Sequence, residues 1–445
     1  MAIDYLYLKM YKKIGQSIPG LFLLANSLSW FSLTMLAIGD VAHGHPIVEI
    51  LLIASAYFGS LIAAAFIGSL LPNRTINNRI FLLTWVFLGV ISCLIFSLWS
   101  ATDLFAIILR SLLLGLSAGV GIPACFSFFS NLTKTENRGK VGAVLFFTIQ
   151  LLTAIVLFSA SSIILEQQFQ ILAFWRLLAI FAIIFYKPIA QKTDLVKTSY
   201  ISIIKERTFL LYFLPWFLFT LINFIEAPII ETSFGDLYTT SVITTTIISS
   251  ISAIFVGILC DRKGRKIASI LGFVLLGLGY AFLSFLGGPA KPIAQYLYIL
   301  CDGIAWGALF VCFVFVIWGD LSEGKIRQKY YFIGSIPFLL SGLIEILIRS
   351  FISSVDVTAA FSLASFFLFL AIVPLLFAAE TLPEKALKER DLKSYVEKAQ
   401  KMVSKETKKK QKKEEKTKET ENEESEKEDN SKEYEEAKKL AEKYY

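Results

Sequence analysis

Gly257-Ile258-Leu259-Cys260-Asp261-Arg262-Lys263-Gly264-Arg265-Lys266 is a charged knot between two long apolar runs, and its reading decides the fold. Two apolar helices joined by so short a link must both re-enter a bilayer. The link therefore needs a turn residue, here Gly264, and charges that refuse the lipid. Four cations against one acid also place that turn on the cytoplasmic side.

Composition agrees. At a mean hydropathy of +0.63, with 55% hydrophobic and 18% charged residues, a 445-residue chain is too apolar for a water-soluble protein. From Glu384 onward the chain holds 19 of its 43 Lys and Arg and 18 of its 36 Asp and Glu, which leaves the preceding body nearly free of charge. Cys93, Cys125, Cys260, Cys301 and Cys312 lie in or beside apolar runs without metal-like spacing, so neither a disulfide framework nor a metal site is expected. The apolar run after Lys9, Lys12 and Lys13 is too long for a leader peptide and reads as a retained span. The net charge of +7 is explained by topology and gives no reason to expect a nucleic-acid partner.

A span needs about 20 apolar residues. That rule gives twelve: 17–39, 47–71, 80–99, 104–128, 141–163, 170–186, 208–230, 238–260, 267–286, 293–318, 330–351 and 357–379. The N-terminus and the even-numbered turns together carry 20 Lys and Arg, whereas the opposite loops hold Lys291 alone, with Arg349 at a span edge. Both termini are then cytoplasmic.

Sliding the chain by 189 residues lays Gly68 and Leu70 on Gly257 and Leu259, and Leu132, Arg138 and Lys140 on Leu321, Arg327 and Lys329. The fold expected is an all-α integral membrane protein of twelve transmembrane helices in two pseudo-symmetric six-helix bundles. The division is 1–186 for the first bundle, 187–207 for a cytoplasmic linker, 208–383 for the second bundle, and 384–445 for a charged cytoplasmic tail, helical or disordered. The Lys408–Lys413 block of that tail is a solvated run, or a contact for a partner or lipid.

The knot resembles the Gly-x-Leu-x-Asp-Arg-x-Gly-Arg-Arg/Lys signature that the major facilitator superfamily carries between spans eight and nine, at every defined position. Its counterpart Gly68-Ser69-Leu70-Leu71-Pro72-Asn73-Arg74 keeps the first Gly and Leu but has lost the Asp and the second Gly. Arg110, Gly115, Gly119 and Gly121 are similar to the family's fourth helix, with an Arg-to-Gly spacing one residue longer than usual. Asn137-Arg138-Gly139-Lys140 looks like its Arg-Gly turn, and Trp175-Arg176, at the outer start of span six, like its Trp-Arg pair. Glu380-Thr381-Leu382-Pro383-Glu384 resembles its closing acidic motif. Span five lacks the Gly-Pro pair usual in the family's drug-exporting antiporters.

Charges inside spans are costly and hence functional candidates. Those named are Arg110 in span four, Glu226 in span seven, Asp302 in span ten, and Glu345 with Arg349 in span eleven. At about 1.5 Å per residue, Asp302 falls near the midplane and Arg110, Glu226 and Glu345 nearer the outer face. The resemblance implies that spans one, four, seven and ten line a central cavity, to which span one brings Asn26, Ser27, Ser29 and Ser32. Arg110 would hold an anionic group, pair with an acid, or brace the bundle. Asp302 and Glu226 would be proton-coupling carboxylates, because burial and a neighbouring cation act oppositely on a carboxyl. Glu345 and Arg349, at i and i+4, fit an ion pair equally well. His43 and His45 alone make a poor metal site.

A cytoplasmic gate motif is expected from Gly257, Asp261, Arg262, Gly264, Arg265 and Arg138, with Asp261 accepting from Arg265 and capping a neighbouring helix. The function implied is secondary active transport of a small polar or anionic solute across the cytoplasmic membrane by alternating access, as a proton symport and as a monomer. The alternatives are export of amphipathic compounds by proton antiport, and a non-transporting sensor or scaffold acting through its tail. There is no nucleotide-binding glycine loop, catalytic triad or metal cluster to suggest an enzyme or a cofactor.

Overall fold

The computed structural model describes residues 2–72, 75, 78–99, 103–160, 163–185, 198–285, 290–323, 326–349 and 355–383 of a first unit, Met1–Pro383, with side chains from residue 18 onward. Of the second unit, Glu384–Tyr445, it describes residues 400, 431 and 434–439, the last group helical and exposed. Expectations for Asn73, Arg74, the 187–197 linker and the Lys408–Lys413 block lie outside these residues.

Among the described residues, twelve helices are long and apolar enough to cross a membrane. They are α1 (Ala2–Ala42), α2 (Ile47–Leu70), α3 (Arg79–Leu98), α4 (Leu104–Leu132), α5 (Arg138–Ala160), α6 (Leu165–Phe185), α7 (Arg207–Phe234), α8 (Leu237–Lys263), α9 (Arg265–Phe285), α10 (Lys291–Leu321), α11 (Arg327–Arg349) and α12 (Val357–Phe377). Strands are absent among the described residues, as expected where no water can satisfy an open sheet edge. The apolar side chains that face outward, such as Phe105, Phe158, Phe255 and Phe285, are tolerable against lipid and would not be in water.

Departures from straight helix have local causes. α4 breaks at Val120–Gly121, and Pro123, which has no N–H to donate, opens its second piece. α10 contains a π-helical stretch, Val311–Val316. α11 carries Pro337 just before its break at Leu340. α8 stops at Gly264, whose φ of +111° suits glycine and lets α9 begin at the next residue. α6 starts five residues earlier than the hydropathy suggests, because the polar stretch Leu165–Phe169 is already helical. Trp175 and Arg176 are thereby placed well inside the span rather than at its outer start.

Packing follows the internal repeat. α2 lies on α4 and α8 lies on α10, in each case over glycines four apart. A Cβ on Gly119 would meet the Leu61 carbonyl at 2.1 Å, and one on Gly307 the Ser249 carbonyl at 2.6 Å. The first and last six helices form two bundles that meet along two seams, α5 against α8 and α2 against α11. At the first seam Gly257 faces Gly139 and Ala143; at the second Gly342 faces Phe58.

Gly119→Val and Gly307→Val should each lower the thermal midpoint of the detergent-purified protein, since overpacking a close helix contact costs about 1–3 kcal/mol. Gly59→Ala, where a Cβ meets nothing within 4 Å, should leave it unchanged.

Candidate functional site

At the end of the bundle that carries the basic loops, a buried ionic cluster joins the two halves. Asp320, near the end of α10, receives Nη1 of Arg138 on one oxygen and Nε of Arg265 on the other, the latter at 2.8 Å. Thr381 Oγ1 donates to the second oxygen at 3.2 Å. Arg138 belongs to the first half, and Asp320 and Arg265 to the second. Asp261 spans the same seam differently: its two oxygens accept the backbone N–H groups of Gly139 and Lys140 at 2.9 and 3.0 Å. These are the first amides of α5, where the helix dipole favours an anion. Arg265 Nη1 lies 3.4 Å from Asp261 and donates to the Cys260 carbonyl at 2.9 Å, and its Nη2 donates to the Thr135 carbonyl of the first half.

Glu380, just beyond α12, caps α9 by accepting from the amides of Arg265 and Lys266 at 2.9 and 3.1 Å. A side chain at Gly264 would collide with that carboxylate, so glycine is required there for space as well as for φ. Arg262 is exposed at the surface beside this cluster. The 189-residue offset lays Asn131 on Asp320 and Arg138 on Arg327, and Arg327 Nη1 does donate to Asn131 Oδ1. The clasp is thus built twice, ionic in one copy and neutral at the acceptor in the other.

The opposite end is open. A cleft of about 500 Å³ lies between α1, α2, α7 and α11, walled by Met35, Asp40, Phe58, Glu231, Glu345 and Arg349. Arg349 bridges Glu231 and Glu345 at 2.6 and 2.9 Å. Glu345 is thus in the cleft wall and paired.

Two acids differ from all of these. Glu226 and Asp302 are 4% and 6% exposed, and Glu226 Oε2 and Asp302 Oδ1 find no hydrogen-bond partner among the described residues. Tyr280 and Tyr298, with ring centroids 5.3 Å apart, lie within electrostatic reach of both acids, and Trp306 sits beside Asp302. Among the described residues, no Arg or Lys acts on either carboxyl. Arg110 is held elsewhere: it donates to the Trp99 and Ala106 carbonyls at 2.7 and 3.2 Å, lies over the Phe96 and Trp99 rings, and has Asp103 and Glu166 as its nearby acids.

The major facilitator superfamily model matches residues 19–317, about two thirds of the chain. The protein belongs to the major facilitator superfamily. It is a multi-pass membrane transporter, and the fold is that of solved members. The human organic anion transporter MFSD10 (TETRAN) is similar with a TM-score of 0.58 at 15% identity, over 82% of this chain and 99% of that one. The superfamily transporter FucP, in its outward conformation, is similar with a TM-score of 0.63 at 14% identity over the same shares. No curated protein sequence matches the chain.

Of the candidates read from sequence, this superfamily member assembles Arg138, Gly257, Asp261, Gly264 and Arg265 at one seam and sets Glu226 and Asp302 around Tyr280 and Tyr298. Arg110 and Glu345 are brought to neither place. Asp320 is absent from those candidates, because a lone Asp at the end of an apolar run reads as a boundary residue. Its signal was its place seven residues before Arg327, matching Asn131 before Arg138.

Asp320→Asn leaves two buried arginines short of an acid, and losing one member of a buried pair costs about 3–5 kcal/mol. In a cysteine-free background with Ser130→Cys at the seam, it should speed maleimide labelling of that thiol more than Asp261→Asn does.

Proposed function

We propose that the protein moves a small polar or anionic solute across the cell membrane by alternating access, driven by co-transported protons. The bodies that rock are residues 1–186 and 208–383, and a single chain suffices. The observation that carries the coupling is the pair of buried acids, Glu226 and Asp302, each with an oxygen that finds no partner. A fixed structural carboxylate in a membrane is paired, because an unpaired buried charge costs several kcal/mol. A carboxyl that must take up and release a proton in each cycle cannot be locked to an arginine.

The two ends support the same reading. The basic end is sealed by Arg138, Asp261, Arg265 and Asp320, all buried, while the other end holds a cleft. That asymmetry is what one of the two states of alternating access would look like, and it supports the reading. The gate would open when the α5–α8 seam parts and the capped amides of α5 lose Asp261.

Proteoliposomes screened with sugars, carboxylates, amino acids, phosphate and sulfate test the reading. Uptake should rise when the outer medium is the more acidic side and collapse when the gradient is removed. Asp302→Asn and Glu226→Gln should each lower gradient-driven uptake by about tenfold or more while leaving solute exchange without a gradient. Undiminished gradient-driven uptake in both variants would remove proton coupling through these acids.

A further inference from the structure

Arg176 is a buried cation of the first half with no carboxylate in hydrogen-bond contact among the described residues. It lies on α6, fully buried, between α1 and α3. Its guanidinium carbon stands 4.3 Å from the Trp85 ring centroid and 4.9 Å from that of Trp30. Nη1 donates to Ser27 Oγ at 2.8 Å and to Asn26 Oδ1 at 3.2 Å, both neutral acceptors. Nε and Nη2 are buried and find no acceptor among the described residues. The ionisable groups acting on it are the thiols of Cys125 and Cys93, with no carboxylate among them.

Those two donors are a matched pair. Nε–H and Nη2–H point the same way along one edge of the guanidinium plane and form the fork that receives both oxygens of a carboxylate. The neighbours hold that edge in place. Asn26, while accepting from Arg176, donates to the Trp175 carbonyl at 2.7 Å, and Trp175 Nε1 donates to Ser29 at 3.0 Å, so α1 and α6 are tied together around the arginine. On α3, Gly89 packs closely against that edge: a Cβ there would stand 3.2 Å from both Nε of Arg176 and the Trp30 ring, a tight contact.

Ring faces offset part of the cost of a buried cation. As hydrogen-bond acceptors they are weak, and the fork keeps no oxygen or nitrogen partner among the described residues. The uncompensated charge and the two idle donors are met together by one kind of ligand.

We propose that Arg176 is a carboxylate-binding site, and that the solute carried is a compact organic anion whose carboxylate is gripped by the Nε/Nη2 fork while Trp30 and Trp85 hold the guanidinium. The proposal rests on the transport reading above and names its substrate class. Entry would take place while the bundle opens, since Arg176 is enclosed in the present arrangement. The oppositely charged groups of the second half, Glu226 and Asp302, then make co-transport of an anion with protons a charge-balanced event.

The test is thermal unfolding of the purified full-length chain with sodium acetate, acetamide or sodium chloride at matched ionic strength. Acetate should stabilise the wild type, and acetamide and chloride should not. Arg176→Lys keeps the charge but loses the fork, and Gly89→Ala keeps the fork but narrows the space beside it; each should weaken the acetate effect by about tenfold or more. Arg176→Gln should abolish it if that variant folds. Equal stabilisation by chloride, no stabilisation by acetate, or an acetate effect unchanged in both Arg176→Lys and Gly89→Ala would overturn the site. Binding needs no gradient, so acetate stabilisation without proton-driven uptake would sink the coupling and leave the site. Proton-driven uptake of another solute, with acetate inert, would do the reverse.

Discussion

The closed end of this transporter depends on a single buried carboxylate. Asp320 receives an arginine from each half, and neither arginine has another side-chain carboxylate within normal hydrogen-bond distance. Burying such a pair is worth little in itself, because desolvation consumes most of the Coulomb gain. Breaking it is expensive. That asymmetry makes the cluster a specifier of state rather than a source of stability: the seam is either fully engaged or open to water, with no cheap intermediate.

Around it, backbone groups are used as partners. Asp261 and Glu380 each cap the first amides of a helix on another segment, so two helix starts are fastened by acids that arrive from elsewhere in the chain. The glycines at 139, 257 and 264 are the sterically necessary complement, since a side chain at any of them would strike the opposing backbone or carboxylate. Charge, capping and absence of side chain act at the same place. Substitution of any one is therefore felt by the others.

Much of this was legible in the chain. Twelve spans, their alternation and the internal repeat follow from apolar runs and basic turns, because a bilayer leaves few alternatives to helix. The turn at Gly264 and the capping capacity of Asp261 were readable, since a tight link of that composition restricts what each residue can do. Asp320 was not, because hydropathy treats a lone acid at a span edge as a boundary. Arg176 was misplaced for a related reason: Glu166, Gln167, Gln168 and Gln170 lower the hydropathy of a segment that is nevertheless helical, which moves the apparent start of α6 past it. Arg110 was legible only as a set of alternatives, an anion ligand, an ion-pair partner or a brace. Local carbonyls and aromatic rings hold it.

The clasp has a further property in its charge count. Arg138 and Arg265 are matched by Asp261 and Asp320, so the buried group is electrically neutral as a whole. Parting the seam separates one positive charge, Arg138 of the first half, from a net negative charge of the second, Asp261 and Asp320 against Arg265, and any displacement of either along the membrane's field is weighed by a potential worth about 2.3 kcal/mol per elementary charge at 100 mV. The gate is neutral in sum and yet divided in charge between the two halves, so the membrane potential has a lever on the contact that closes it.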